Sequence, residues 1–330
     1  MIELLLVRLD THKKRSTIES NSMKKIAILI PYFGKFPEWA DFFFETIKRN
    51  SSIDFIFYTD CDTQKYKASN ITFVKISFEE YVSKVNQYLN FEFQPKNAYK
   101  LCDLRPLFGM IHKGDFKNYD FYGWTDMDLI FGDIRSFYTN DILKSYDVLS
   151  THSVRISGHL ALFKNTKRNR NMYNRIYNWE NRLKHPDLIG IDEQGMMNAY
   201  SMTIFDRFNK KFKVEFDNLF IRIIKKIKTR KLYMKEQYTT PFTPIPWLDN
   251  SINSCQPSDW FYKDGNITNL RDGERSFMYL HFMNFKNSRW RHDNTKAPWE
   301  GVAQICFAEK KDMNKGIQIN HHGIYPLVNS

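Results

Sequence analysis

Residues 119–133, YDFYGWTDMDLIFGD, constrain this chain more than any other stretch. Their apolar, aromatic and β-branched side chains have the composition of a core strand, yet they carry Asp126 and Asp128 one residue apart and close on Gly132-Asp133. On an ideal strand the two carboxylates share a face, and side by side they repel unless a cation or a proton lies between them. A hard divalent ion that also takes phosphate oxygens resolves the conflict, because Mg²⁺ is typically held by one or two carboxylates plus the phosphates of its substrate. A bare Asp-x-Asp is also compatible with a turn cap at Asp126 and a solvated Asp128; the apolar frame on both sides tips the reading toward a site.

The residues before this stretch describe the start of an α/β sheet. Residues 26–30, IAILI, form a continuous apolar run of the kind found in a central parallel strand covered on both faces. The turn Pro31-Tyr32-Phe33-Gly34 follows at its carboxyl end, where open α/β sheets place their ligands. Pro37 opens a helix over 38–49 with Trp39, Phe42, Phe43 and Ile47 inward. Strands follow at 55–58, ending in Thr59-Asp60, and at 71–76. No Gly-x-Gly-x-x-Gly and no phosphate-binding P-loop accompanies them. In 98–108, Lys100 and Asp103 recur at helical spacing, Arg105 points away, and Pro106 argues against a regular helix. A lysine and an arginine there would neutralise phosphate charge. Asn165 caps a long helix to residue 184, with Met172, Ile176, Trp179 and Leu183 on one face. Asp192 and Glu193 read as the acidic entry to another helix, in which first-turn N–H groups hold Asp192 ionised and Glu193 turns about 100° away toward a neighbour.

These segments resemble a known family. "GWTDMDLIFGD" is similar to the Asp-x-Asp segment of GT-A-fold glycosyltransferases of the bacterial surface polysaccharide and lipopolysaccharide type, and "YKLCDLRPLFG" to the segment before it. "LHFMNFKNSRW" resembles the C-terminal His-to-Lys segment of retaining members, although its spacing is one shorter than His-x-x-Gly-x-x-Lys and the glycine is absent, so Arg289 or Arg291 could stand in for Lys286. The resemblance spans 23–291. It implies an α/β fold, a mixed and mainly parallel central sheet flanked by helices with a C-terminal elaboration. Residues 1–22 are then a leader, 23–209 the nucleotide-sugar and metal core, and 210–330 a basic amphipathic segment, lid and strands that complete the active site. It places Mn²⁺ or Mg²⁺ on Asp126, Asp128 and His281, a nucleotide base on Tyr32 with Asp60 at its edge or ribose, and the donor's phosphates and sugar among Lys100, Asp103, Arg105 and Lys286. Asp192 or Glu193 serves the reacting carbon or the acceptor hydroxyl. The implied reaction moves a sugar from a nucleotide diphosphate, UDP-hexose foremost, to a hydroxyl of a surface glycan or lipid-linked acceptor, with retention favoured over inversion.

Composition narrows the classes further. A hydrophobic content of 42% with 16% aromatics excludes a disordered chain of 330 residues. Four scattered cysteines without a Cys-x-x-Cys pair fit neither a disulfide frame nor a zinc site, and so suit the cytoplasm. The apolar opening of residues 1–10 is too short to span a bilayer and lacks the order of a signal peptide, which makes Met23 an expected natural start. The formal charge of 49 minus 37, or +12, concentrates in 210–235 around a stripe of Leu219, Phe220, Ile223, Ile224 and Ile227. Such a helix lies on an anionic membrane surface, here the inner face of the cytoplasmic membrane, or packs its stripe on the core. No helix-turn-helix, zinc-finger or RNA-binding motif accompanies the charge, so nucleic acid is not the expected partner. Two other readings stay open: a haloacid-dehalogenase-like phosphatase, which "DMDLI" matches in part although the motif is mid-chain with Ile130 in its fifth position, and a glycan-binding protein without catalysis.

Overall fold

A computed structural model of the chain describes residues 22–202, 223–224, 226, 229, 231–251, 256–291 and 294–327. The expected leader to residue 21 and most of the basic segment, including Leu219, Phe220 and Ile227, lie outside the described residues.

The uninterrupted apolar runs become the middle of a sheet, as strands covered on both faces must. Its seven strands run in the order β3-β2-β1-β4-β7-β6-β8. They are β1 (Ile26–Pro31), β2 (Ile53–Thr59), β3 (Ile71–Lys75), β4 (Phe121–Thr125), β6 (Val148–Ser150), β7 (Leu160–Lys164) and β8 (Leu232–Met234). β1 pairs in parallel with β2 and β4, β2 with β3 and β6 with β8, whereas β7 is antiparallel to both β4 and β6. The carboxyl ends of β1, β4 and β6 therefore share one edge with the start of β7. Side chains alternate cleanly across the sheet. Ile26, Ile28, Ile30, Phe55 and Phe57 enter one layer, and Ala27, Leu29, Ile56 and Tyr58 the other. Helix α1 (Ala40–Arg49) packs Phe43, Phe44 and Ile47 into the first layer.

The remaining strands form an antiparallel sheet in the order β11-β10-β9-β13-β14, from β9 (Trp260–Lys263), β10 (Asn266–Asn269), β11 (Gly273–Phe277), β13 (Ile317–Asn320) and β14 (Gly323–Pro326). The β9–β10 hairpin turns on Asp264-Gly265, both at positive φ (52° and 82°), as an Asp-Gly pair favours. A two-stranded ribbon, β5 (Leu129–Phe131) with β12 (Tyr279–His281), stands between the two sheets. Leu129, Phe131 and Tyr279 face the core of the large sheet, while Ile130 and Leu280 face that of the small one. The mixed sheet with flanking helices and a separate antiparallel sheet matches a GT-A-like α/β fold with a C-terminal elaboration.

Two local expectations fail. The single helix expected from Asn165 to residue 184 is three pieces, Lys167–Arg170, the 3₁₀ turn Met172–Arg175 and Trp179–Lys184, and Asn178 between them is left-handed at φ 53°. Asparagine recurs along this segment and competes with the helical backbone for hydrogen bonds. Asn165 itself donates to the carbonyls of Phe116 (2.6 Å) and Tyr119 (2.9 Å), and Thr166 takes the cap. The acidic helix entry is also displaced. Helix α2 (Gln194–Ser201) begins two residues after Asp192, so no first-turn N–H holds that carboxylate.

Candidate active site

Strand β4 releases the chain at Thr125 into a bend, not a continued strand face. The Asp126 N–H and the Thr125 hydroxyl both donate to the His159 carbonyl at the start of β7 (3.0 and 2.9 Å), and the Met127 carbonyl accepts from the Trp39 indole N–H (2.9 Å). The bend puts Asp128 at the head of β5. Strand β12 then sets His281 opposite Leu129, and the Phe282 N–H donates to the Asp128 carbonyl (3.2 Å).

As a result, one oxygen of each carboxylate and one ring nitrogen of His281 all lie within 4.8 Å of one another. Asp128 and His281 are buried, and Asp126 is half-buried. His281 Nδ1 is 3.1 Å from the Thr240 hydroxyl. In the tautomer that donates this proton to Thr240, Nε2 keeps its lone pair, 3.4 Å from Asp128 Oδ1, and nothing among the described residues hydrogen-bonds it. A buried ring nitrogen without a partner is costly, and a cation between it and the carboxylates removes the cost. The His159 ring stacks on His281 at 4.1 Å and is itself held by the Tyr279 hydroxyl at 2.6 Å, fixing the plane of the ligand. Two carboxylates and one oriented imidazole thus fit a divalent ion of the Mn²⁺ or Mg²⁺ kind.

Two cations already balance the acids. Arg105 donates to Asp126 through Nη2, and through Nη1 to Asp192 Oδ2 (2.9 Å) and the Gly158 carbonyl (2.7 Å). Lys286 Nζ lies 3.0 Å from Asp128 Oδ2. Burial pushes the Asp128 carboxyl up, but the Lys286 ammonium leads the opposing causes, and the group lies well below the usual range. Burial pushes Asp126 up, with Arg105 opposing and the Asp128 charge assisting. Asp192 is pushed up to about 6 by burial, again against Arg105. The Asp128 charge in turn raises Lys286. All this borders a cleft of about 400 Å³ at the carboxyl ends of β1 and β4, walled by Tyr32, Trp39, Tyr99, Arg105 and Trp290 together with Asp126, Asp128 and Lys286.

Residues 28–311 match the model of a protein family described as a family of unknown function, DUF6625. The chain belongs to this family. No curated protein matches the DUF6625 chain. Solved structures with remote likeness include the galactosyltransferase LgtC in complex with donor and acceptor sugar analogs (11% identity, 61% of this chain and 82% of that one, TM-score 0.31). Others are a glycosyltransferase involved in the glycosylation of the major capsid of PBCV-1 (12%, 66% and 84%, 0.33) and the glycosyltransferase GlyE of Streptococcus pneumoniae TIGR4 (14%, 72% and 59%, 0.30). Superpositions this loose transfer neither a residue nor an activity.

Of the residues singled out in the DUF6625 sequence, Tyr32, Arg105, Asp126, Asp128 and Lys286 meet in the cleft wall, with His281 directly behind Asp128. The others sit elsewhere. Asp60 accepts from the Gly34 N–H (2.7 Å) and closes the turn that carries Tyr32. Lys100 and Asp103 are buried against each other (2.9 Å), away from the cleft. Asp192 is buried behind Arg105, and Glu193 pairs with Arg155 (3.2 Å). Gly158 leaves the room Glu193 needs, since a Cβ there would meet its Oε1 at 2.8 Å. Trp39, Tyr99 and Trp290 are among the cleft residues for which no part in the site was expected. Tyr99 and Trp290 are exposed aromatic rings on 3₁₀ turns, at the ends of the segments "YKLCDLRPLFG" and "LHFMNFKNSRW" themselves, which is the signal that could have found them. Thr240 lies in the proline-rich wrap and has no such signal.

Proposed function

We propose that this DUF6625 protein is a metal-dependent glycosyltransferase that moves a sugar from a nucleotide diphosphate, most simply a UDP-hexose, to a hydroxyl of a surface glycan or lipid-linked saccharide. The observation that carries the reading is the convergence of Asp126, Asp128 and an unpartnered His281 Nε2 beside Lys286 at the carboxyl ends of parallel strands. Mn²⁺ or Mg²⁺ held by those three side chains would supply positive charge to a departing diphosphate. Lys286, a cation in the cleft wall, binds phosphate oxygens, and Tyr32 offers its ring to the base. Arg105 stays fixed on Asp126 and orients it. Asp192 positions Arg105 in turn, in place of the expected service at the reacting carbon or the acceptor hydroxyl.

Among the described residues lining the cleft the only carboxylates are Asp126 and Asp128, both committed to the ion. An inverting base is therefore missing from that wall, which favours retention. The division at about residue 209 acquires a functional sense here, because 23–209 supplies the two aspartates and 210–330 supplies His281, Thr240 and Lys286. The charge of +12 suits an anionic membrane surface on the cytoplasmic side, where lipid-linked acceptors would be met. No helix among the described residues is long and apolar enough to cross a membrane.

Calorimetry of UDP with Mn²⁺ tests the reading, followed by hydrolysis across a panel of nucleotide sugars. Asp128→Asn should lose metal-dependent UDP binding and keep its circular dichroism. Unchanged metal-dependent affinity in that variant overturns the assignment. Liposome flotation that shows no binding to anionic vesicles at low salt removes the membrane component alone.

A further inference from the structure

We infer that Lys286 is the resident counter-ion of Asp128 and exchanges with the divalent cation, so that cation and nucleotide diphosphate bind cooperatively through one ammonium group. The inference rests on the proposed function and specifies how its site is loaded.

Asp128 is a buried carboxylate and cannot stand uncompensated when no cation is bound. Its Oδ2 is taken by Lys286 (3.0 Å), while its Oδ1 lies 3.4 Å from the unpartnered His281 Nε2. A cation held by Asp126, Asp128 and His281 must share Asp128 with that ammonium at close quarters, and like charges there repel. One of the two basic residues has to give way, and their surroundings differ. Arg105 is buried and pinned by three acceptors, Asp126, Asp192 and the Gly158 carbonyl. Its planar fork is committed in a fixed geometry.

Lys286 is the last residue of a four-residue helix, α3 (Met283–Lys286), and its side chain is one-third exposed. Among the described residues it has one ion-pair partner, Asp128, and its Nζ lies 5.6 Å from the centre of the Trp39 ring. A point charge on a four-carbon stem can swing where a pinned fork cannot. It also lines the cleft that a diphosphate would enter. In the free protein the ammonium neutralises Asp128. In the loaded protein the cation takes Asp128 and the ammonium moves to phosphate. Each ligand then favours the other by the same factor, because linkage is reciprocal.

The test compares wild type with Lys286→Gln. Mn²⁺ alone is titrated by calorimetry and by the electron paramagnetic resonance of free Mn²⁺, and UDP is then titrated with and without saturating Mn²⁺. Removing the competitor should tighten Mn²⁺ binding to the nucleotide-free protein by about tenfold, weaken UDP binding, and shrink the Mn²⁺–UDP coupling, an effect within the 5–150-fold typical of linked sites. Lys286→Met, which keeps most of the stem and removes the charge, should behave alike. Unchanged or weaker Mn²⁺ affinity in both variants overturns the exchange while leaving the metal site intact. Wild type that binds Mn²⁺ no better than Asp128→Asn overturns the metal site itself and the exchange with it.

Discussion

Asp103→Ala should unfold the protein more readily without touching nucleotide recognition directly. Asp103 is fully buried and its two oxygens accept four hydrogen bonds: Oδ2 from Lys100 Nζ (2.9 Å) and the Ile189 N–H (2.8 Å), Oδ1 from the N–H groups of Gly190 (2.8 Å) and Ile191 (2.9 Å). Lys100 spends its other protons on the carbonyls of Arg182 (2.9 Å) and Asp187 (3.0 Å). Alanine leaves a buried ammonium with two neutral acceptors and three amides without any. Breaking a buried pair from one side costs about 3–5 kcal/mol. Each amide left unpaired adds about 1 kcal/mol or more, less whatever the loop recovers by opening to water. A net loss of about 4 kcal/mol is expected, which lowers the urea midpoint by more than about 1 M for a slope near 3 kcal/mol per M. Asp103→Asn keeps one carbonyl acceptor and should lose about half as much. Urea unfolding followed by circular dichroism, with UDP binding measured beside it, checks both. A midpoint within about 0.3 M of wild type, with UDP affinity reduced, would refute this reasoning and restore Asp103 to the donor.

The pH dependence of stability should carry the mark of Asp192, raised from an ordinary 3.8 to about 6. The folded protein protonates this group before the unfolded chain does, so between pH 6 and pH 4 its contribution grows as pH falls, and it is lost as pH rises through 6. Unfolding free energies of wild type and Asp192→Asn from urea titrations at pH 4 and pH 7 should diverge in that sense by up to about 3 kcal/mol. Gly123→Ala should cost about 3 kcal/mol, because a Cβ there would stand 2.2 Å from the Ala161 carbonyl oxygen on the neighbouring strand; a thermal melt within a degree of wild type contradicts it. Trp39→Phe removes the indole bond to Met127 (2.9 Å) that shapes the bend between the two aspartates, and should cost about 1 kcal/mol and several-fold in Mn²⁺ affinity, both readable by calorimetry.

What the sequence disclosed about the site is what local chemistry encodes. The apolar run of β1, the paired aspartates and a histidine after a buried strand each announce themselves within a few residues, and they meet in space. Lys100 and Asp103 stand apart from the cleft lining, a placement that helical spacing could not show, because it says which residues are neighbours but not what lies opposite. Asp103's amide partners stand 86 to 88 residues further along the chain. The same holds for Asp192, whose neighbour is Arg105 and not the start of its own helix. The long helix expected after Asn165 failed for a local reason, since its apolar spacing was right while its asparagines favoured turns.

The joint between the two sheets explains why a site built from distant residues can be reliable. In the β5–β12 ribbon His281 faces Leu129, Leu280 faces Ile130 and Tyr279 faces Phe131. A strand shifted by one residue presents its side chains to the opposite face. Such a slip would carry Leu280 toward the carboxylates and put Tyr279 and His281 into the apolar core now filled by Ile130, Leu280, Trp260 and Phe282. Burying an imidazole and a phenol there without partners is costly, and Tyr279 would also forfeit its 2.6 Å bond to His159. The hydrophobic pattern of three residues therefore fixes the register, and the register delivers His281 to Asp128. Leu280→Thr should weaken both together. It lowers the contrast between the ribbon's faces and buries a hydroxyl in the second core, so stability falls by about 2 kcal/mol. Mn²⁺ affinity should fall with it. Loss of stability with Mn²⁺ affinity intact would show that β12 is held in register by something other than this alternation.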